Sequence, residues 1–224
     1  MSETPDKIAH VHLMRTAGTF VNAYLAKELR NTHDIKVSWF DGLGRDWYPE
    51  ELLGFLESGG PVYVHNHLAG WSRELVNRFN DAGFLTFAFV RNPGDQLCSL
   101  FGLIEQRNAN SSSLTLDEFI LRQVRGEEIF GIDHHHWAIP SWWEEIGSVT
   151  EFNEEAFSGF VQTQLDRAWK PQLAAEAARN HTGNRGFDWH YRAGDIHPST
   201  RHTLDRSEFQ ERYRAVRAAK AGDG

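Results

Sequence analysis

The stretch AHVHLMRTAGTFVNAYL, residues 9–25, changes its period halfway along. Ile8 to Leu13 alternates and is rich in β-branched residues, which reads as a strand. Phe20, Val21, Tyr24, Leu25 and Leu29 then recur at helical spacing. The joint between them, Arg15-Thr16-Ala17-Gly18-Thr19, is small and hydroxylated and carries one cation. A strand-to-helix joint aims backbone N–H groups and the positive end of the helix dipole at one point in space. The stretch therefore predicts a βα unit whose joint holds an anion.

Working outward, strand and helix signals keep alternating. IKVSWF (35–40) reads as a second strand, followed by the turn DGLG. PEELLGFLE (49–57) reads as a short helix with Pro49 in its first turn, and PVYVHNH (61–67) as a third strand after the Gly59-Gly60 turn. SRELVNRFNDAG (72–83) is a helix with Ser72 as cap and Gly83 as stop. FLTFAFV (84–90) is apolar throughout, as a central parallel strand covered on both faces would be. NPGDQLCSLFGLIEQ starts another helix, with Asn92 as cap and Pro93 at its first position. The second half shows amphipathic helical spacing at 113–124, at 153–180 with a break near Pro171, and at 205–222, with one further strand at 146–152. The rhythm predicts an α/β domain spanning residues 1–224: a P-loop-like parallel sheet of about four to five strands flanked by helices, with a helical C-terminal half.

Composition narrows the function. The 224 residues are 40% hydrophobic, enough for a core, and no apolar run approaches the length of a bilayer span. MSETPDK lacks the apolar segment of a signal peptide, and the single cysteine, Cys98, suits a reducing compartment, so the expectation is a soluble cytoplasmic protein. A net charge of −8 argues against a general nucleic-acid binder. It leaves room for a small anionic ligand, because distant charges are screened beyond about 8–10 Å.

A second anion signal lies in FAFVRNPGDQLCSLF. Arg91 stands at the carboxyl end of the expected central strand, and Ser99 lies about two turns into the next helix. A guanidinium and a hydroxyl there suit a phosphate. Two anion sites at two strand ends fit one ligand with a phosphate at each end.

On these residues the chain resembles the sulfotransferase superfamily. HLMRTAGTF is similar to that family's 5′-phosphosulfate loop, H-x-x-K-[TS]-[GA]-[GS]-T, and VRNPGDQLCSLF to its 3′-phosphate motif, V-R-[DN]-P-x-x-x-x-x-S-x-[FY]. The resemblance implies 3′-phosphoadenosine 5′-phosphosulfate as cofactor, no metal, and sulfuryl transfer to an acceptor hydroxyl or amine. It implies that Arg15, Thr16, Ala17, Gly18, Thr19 and Phe20 hold the 5′ end, and that Arg91 and Ser99 hold the 3′-phosphate. YRAGDIHPSTRHTL is similar to the family's R-K-G segment, which would add Arg192 and Gly194; Ala193 replaces its lysine. Arg15 stands where the family loop carries lysine. Arginine keeps the charge but does not give up its proton. A relative that binds the nucleotide without turnover therefore remains an alternative, as does a P-loop small-molecule kinase. The kinase is weakened by the missing G-K-[ST] and by the lack of an acidic magnesium ligand at a strand end.

An acceptor hydroxyl needs a base. Strand alternation puts His65 and His67 on one side of VYVHNH. Carbohydrate sulfotransferases show a similar H-x-H segment, which implies His67 as base, with His65 second, and a carbohydrate acceptor ahead of a small alcohol or phenol. His12 reads as loop support. DHHHW (133–137) offers adjacent histidines in place of a spaced ligand set. Trp137, Trp142 and Trp143 are either an acceptor platform or a cover over the core. Glu144, Glu145 and Glu151 are possible auxiliary bases.

Overall fold

Along β4 (Leu85–Val90), Phe87 and Phe89 turn to one side and Ala88 and Val90 to the other, each at most 1% exposed. This strand is covered on both faces, as its mainly apolar run requires, and its one hydroxyl, on Thr86, is buried by donating to Asn80 at 2.7 Å. In the computed structural model, which describes residues 5–32, 36–38, 52–57, 62–107, 113–183 and 191–222, it belongs to a five-stranded sheet. The other strands are β1 (Lys7–His12), β2 (Lys36–Ser38), β3 (Val62–His67) and β5 (Ser148–Glu151). The order is β2-β3-β1-β4-β5 and every pairing is parallel.

One face packs against α1 (Gly18–Thr32), α6 (Glu154–Thr163) and α7 (Pro171–Gly183), through Val21, Tyr24, Leu25, Phe157, Phe160 and Ala177. The other face packs against α2 (Arg73–Asp81) and α9 (Glu208–Gly222), through Leu75, Val76, Phe79, Tyr213 and Val216. A third cluster joins α3 (Pro93–Arg107), α4 (Leu116–Val124), α5 (His134–Trp137) and α8 (Pro198–Asp205) around Leu97, Phe101, Phe119, Trp137 and Leu204.

The expected α/β sheet is present. Ser72 caps α2 by accepting from the Leu75 N–H at 3.2 Å, and Gly83, at φ +80°, follows it. Tertiary detail moves several boundaries. α4 begins at Leu116, not 113, because Thr115 and Glu118 exchange side-chain-to-backbone hydrogen bonds of 3.0 and 3.2 Å. The helix expected over 153–180 breaks at 164–170, ahead of Pro171. There Asp166 adopts φ +50° and Trp169 stacks on Tyr24 at 4.8 Å. The C-terminal helix starts at Glu208, and α8, with Pro198 in its first turn, precedes it. Of the helix expected over 49–57, residues 52–53 are helical and 54–57 are turn. Pro49, the DGLG turn, Gly59-Gly60 and the rest of IKVSWF around β2 lie outside the described residues.

Candidate functional site

β1 and β4 are neighbours, but the chain leaves them toward opposite edges of the sheet. Such a reversal opens a crevice at the carboxyl ends of the strands, where α/β folds bind ligands. The β1–α1 joint lies there. Arg15 (φ +67°) and Ala17 (φ +62°) are both left-handed although neither is glycine. Such residues cost on the order of 1–3 kcal/mol each and persist where the surroundings over-determine them. Left-handed residues alternating along a loop turn successive N–H groups toward one concavity, an anion-binding nest. Thr16 staples the loop, its hydroxyl donating to the Leu13 carbonyl at 2.6 Å. The first turn of α1 has no acidic residue to compete for the helix N-terminus. Thr19 is exposed, whereas the Phe20 ring packs edge-on against Phe152 and Phe157, so only its backbone faces the joint.

Gly18 opens α1 directly over His12. A Cβ there would lie 2.1 Å from His12 Nε2. Gly18→Ala is expected to destabilise the fold by about 1–3 kcal/mol through overpacking. In a His12→Ala background the same substitution should cost much less. Denaturant midpoints of the single and double variants check this; equal losses in both backgrounds would contradict the contact.

Arg15 reaches across the crevice, its Nε donating to Ser99 Oγ on α3 at 3.0 Å. The two motifs, one on the β1–α1 joint and one on α3, are thus in direct contact. Arg91, half-buried, follows β4. Cys98 reports its surroundings: burial, with Asp95 and Asp195, pushes the thiol up to about 12, while Arg91 and Arg201 oppose the shift. The tail returns here along α3. Tyr191 sits edge-on to Phe101 at 5.0 Å, and a Cβ on Gly94 would lie 3.5 Å from Ile196. Arg192 is exposed and donates its N–H to Asp195 at 2.7 Å; Gly194 is exposed, with open space where a Cβ would stand. Arg201 donates to the Ala193 carbonyl.

Parallel register pairs His10 with His65 and His12 with His67, making two histidine rungs on the face that α1 covers. His10 and His65 approach at 3.1 Å between Nδ1 atoms. Asn22 Oδ1 accepts from Tyr63 and lies 3.4 Å from His10 Nδ1, and Phe87 stacks on the His10 ring at 4.5 Å. The His12 ring lies 5.0 Å from that of His65 and 4.7 Å from that of His67. Both His12 ring nitrogens are buried without a hydrogen-bond partner. Burial pushes His10 down to about 3 and holds His12 and His65 well below the ordinary histidine range. Depressed values mean that the unfolded chain binds these protons first. Their contribution to stability is therefore complete above about pH 6.5 and lost as pH falls toward the folded values, by up to about 1.4 kcal/mol per pH unit per histidine. Thermal melts should fall steeply between pH 6.5 and 4.5; a flat profile would mean that the rungs are not sealed.

His67 is half-buried at the outer end of this array, whereas His65 is 1% exposed beneath it. Among the carboxylates, Glu145 is held by Arg73 at 2.8 Å, and Glu151 by Tyr213 and by Arg217 at 3.4 Å. Within DHHHW, His134–Trp137 form one helical turn. Asp133 caps it, accepting from the His135 N–H at 2.9 Å and lying 2.9 Å from His136 Nδ1. Trp137 is fully buried and closes the third cluster, which selects the second of its two readings, a cover over the core; Trp142 and Trp143 are half-buried against the core. Sequence reasoning missed Gln96, Asn22 and Tyr63. Gln96 left one signal, a polar residue beside the apolar face of α3 and three positions before Ser99.

No family model matches the chain, and no curated protein matches its sequence. Its structure is similar to that of the mouse sulfotransferase SULT7A1 complexed with PAP, at 15% identity and a TM-score of 0.60. The match covers 96% of this chain and 89% of that one. The chain thus has a sulfotransferase-like fold.

Proposed function

We propose that the chain is a sulfotransferase that uses 3′-phosphoadenosine 5′-phosphosulfate to sulfate an acceptor hydroxyl by in-line displacement, a carbohydrate ahead of a small alcohol or phenol. The observation that carries this reading is the Arg15–Ser99 hydrogen bond at the crevice of a sulfotransferase-like fold, which joins the two halves of a site suited to a doubly phosphorylated nucleotide. The nest at 15–17, the unpartnered nitrogens of His12 and the arginines around Cys98 fit such a ligand. Residues 15–20 would hold its 5′ end, and Arg91 and Ser99, with Arg192 and Gly194 beside them, its 3′-phosphate.

The donor supplies an activated sulfuryl group whose transfer leaves negative charge on a phosphate oxygen. The chain contributes position and field. Arg15 and the α1 N-terminus put positive charge where that charge develops, without reorganising. Arg15 stabilises by charge alone, since a guanidinium does not act as an acid here. His67, at the outer end of β3, takes the acceptor proton as the acceptor oxygen bonds to sulfur.

Calorimetry should show binding of 3′-phosphoadenosine 5′-phosphate in preference to ATP, and labelled donor should be consumed when an acceptor is present. Preference for ATP would revive the kinase reading; tight binding without turnover would favour a non-catalytic relative. Arg91→Ala should weaken the 3′-phosphorylated nucleotide about 10–150-fold, the loss of one charge-assisted contact of about 1.5–3 kcal/mol. The 3′-dephospho analogue should be barely affected. Equal weakening of both ligands would remove Arg91 from the 3′-phosphate.

A further inference from the structure

We propose that Gln96 couples the nucleotide loop to the acceptor-side segment 133–139, so that occupancy of the loop tightens that segment. The proposal rests on the nucleotide reading above. Gln96 is 2% exposed and lies three residues before Ser99, on the same face of α3. Its Nε2 donates to the Met14 carbonyl at 2.6 Å and to the Trp137 carbonyl at 2.8 Å. One buried amide thus holds two segments far apart in sequence. Met14 completes the tie by donating its N–H to the His136 carbonyl at 3.0 Å.

The far side of the tie is anchored as well. Trp137 Nε1 donates to Gln123 Oε1 at 2.7 Å, and Gln123, itself fully buried, donates to the carbonyls of Glu127 and Ile132 at 3.1 and 3.0 Å. Arg212 donates to the Ile139 carbonyl at 3.1 Å. Displacing Met14 relative to Trp137 would strip a buried amide of a partner, an outcome that buried polar groups strongly resist. The loop and the 133–139 segment therefore move together. The His134–Trp137 turn packs against Leu68–Gly70, the short turn that follows the proposed base His67, so the segment borders the acceptor side of the crevice. A ligand that fixes the left-handed loop conformation fixes the segment too, and by reciprocity an acceptor that fixes the segment tightens nucleotide binding. Gln96 is a positioning residue: it acts through the loop and touches no reacting atom.

Backbone hydrogen exchange over residues 133–139 tests this on the full chain, with 3′-phosphoadenosine 5′-phosphate as the probe. Saturation should slow exchange there at least about 5-fold in the wild type, the lower end of ordinary coupling. Gln96→Met keeps the length and loses both donors; it should still bind the probe, but with slowing below about 2-fold. Gln96→Asn keeps the amide but is too short to span both carbonyls, and should fall between. Thr115→Ala, which removes the α4 cap and touches neither segment, should lose stability while retaining the full slowing. Full slowing in Gln96→Met would overturn the proposal, as would full slowing in Gln96→Asn, which decides the matter if Gln96→Met does not fold. A wild type that binds the probe without slowing also overturns it and leaves the functional reading intact. A wild type that does not bind the probe overturns both.

Discussion

His67→Ala is expected to lower turnover by about 10²- to 10⁴-fold, the usual share of a general base. Nucleotide affinity should barely change, because His67 is assigned to the acceptor and to neither phosphate. His67 precedes the short 3-10 turn Leu68–Gly70 but its side chain makes no capping hydrogen bond there, and it is half-buried at the strand end. His65→Ala removes a buried ring 3.1 Å from His10 Nδ1, so its main effect should be on stability, measurable by denaturation, with a smaller effect on turnover. If His65→Ala folds normally and shows the larger loss of turnover, the roles are reversed. If both variants keep nearly full activity on a verified acceptor, the H-x-H segment is structural.

Arg15→Ala should cost about 10²- to 10³-fold in turnover, as loss of one preorganised group facing the developing charge does. Alanine bears the same left-handed strain as arginine at φ +67°, so the comparison isolates the guanidinium and not the backbone. Arg15→Lys keeps the charge but gives up the planar fork whose Nε holds Ser99. It should retain most of the turnover, within about 10-fold, if charge is what the reaction uses. Steady-state kinetics with labelled donor separates these cases. Unchanged turnover in Arg15→Ala would reduce Arg15 to a structural link between the loop and α3, whereas a deep loss in Arg15→Lys would mean that the fork geometry matters more than the charge.

Period and punctuation determined much of this molecule. The change from alternation to helical spacing at residues 13–20, the mainly apolar run of β4 and the Ser72 cap are local properties, written in the order of side chains and insensitive to what packs against them. They were enough for an α/β sheet with helices on both faces, and enough to put Arg15, Arg91 and the paired histidines at carboxyl strand ends. What the sequence left open depends on contacts between distant segments. Strand pairing is one such property: only parallel register stacks His10 on His65 and His12 on His67, burying three of them and leaving the fourth at the rim. Helix ends are another, since the Trp169–Tyr24 stack helps to end the run before Pro171. Trp137 is a third. An indole in a short histidine-rich stretch is ambiguous by composition, and becomes core once Gln123 meets its N–H and Gln96 its carbonyl. Local patterns record the free energy of segments taken singly, whereas burial and hydrogen-bond partners belong to pairs of segments, and only the tertiary structure decides which pairs form.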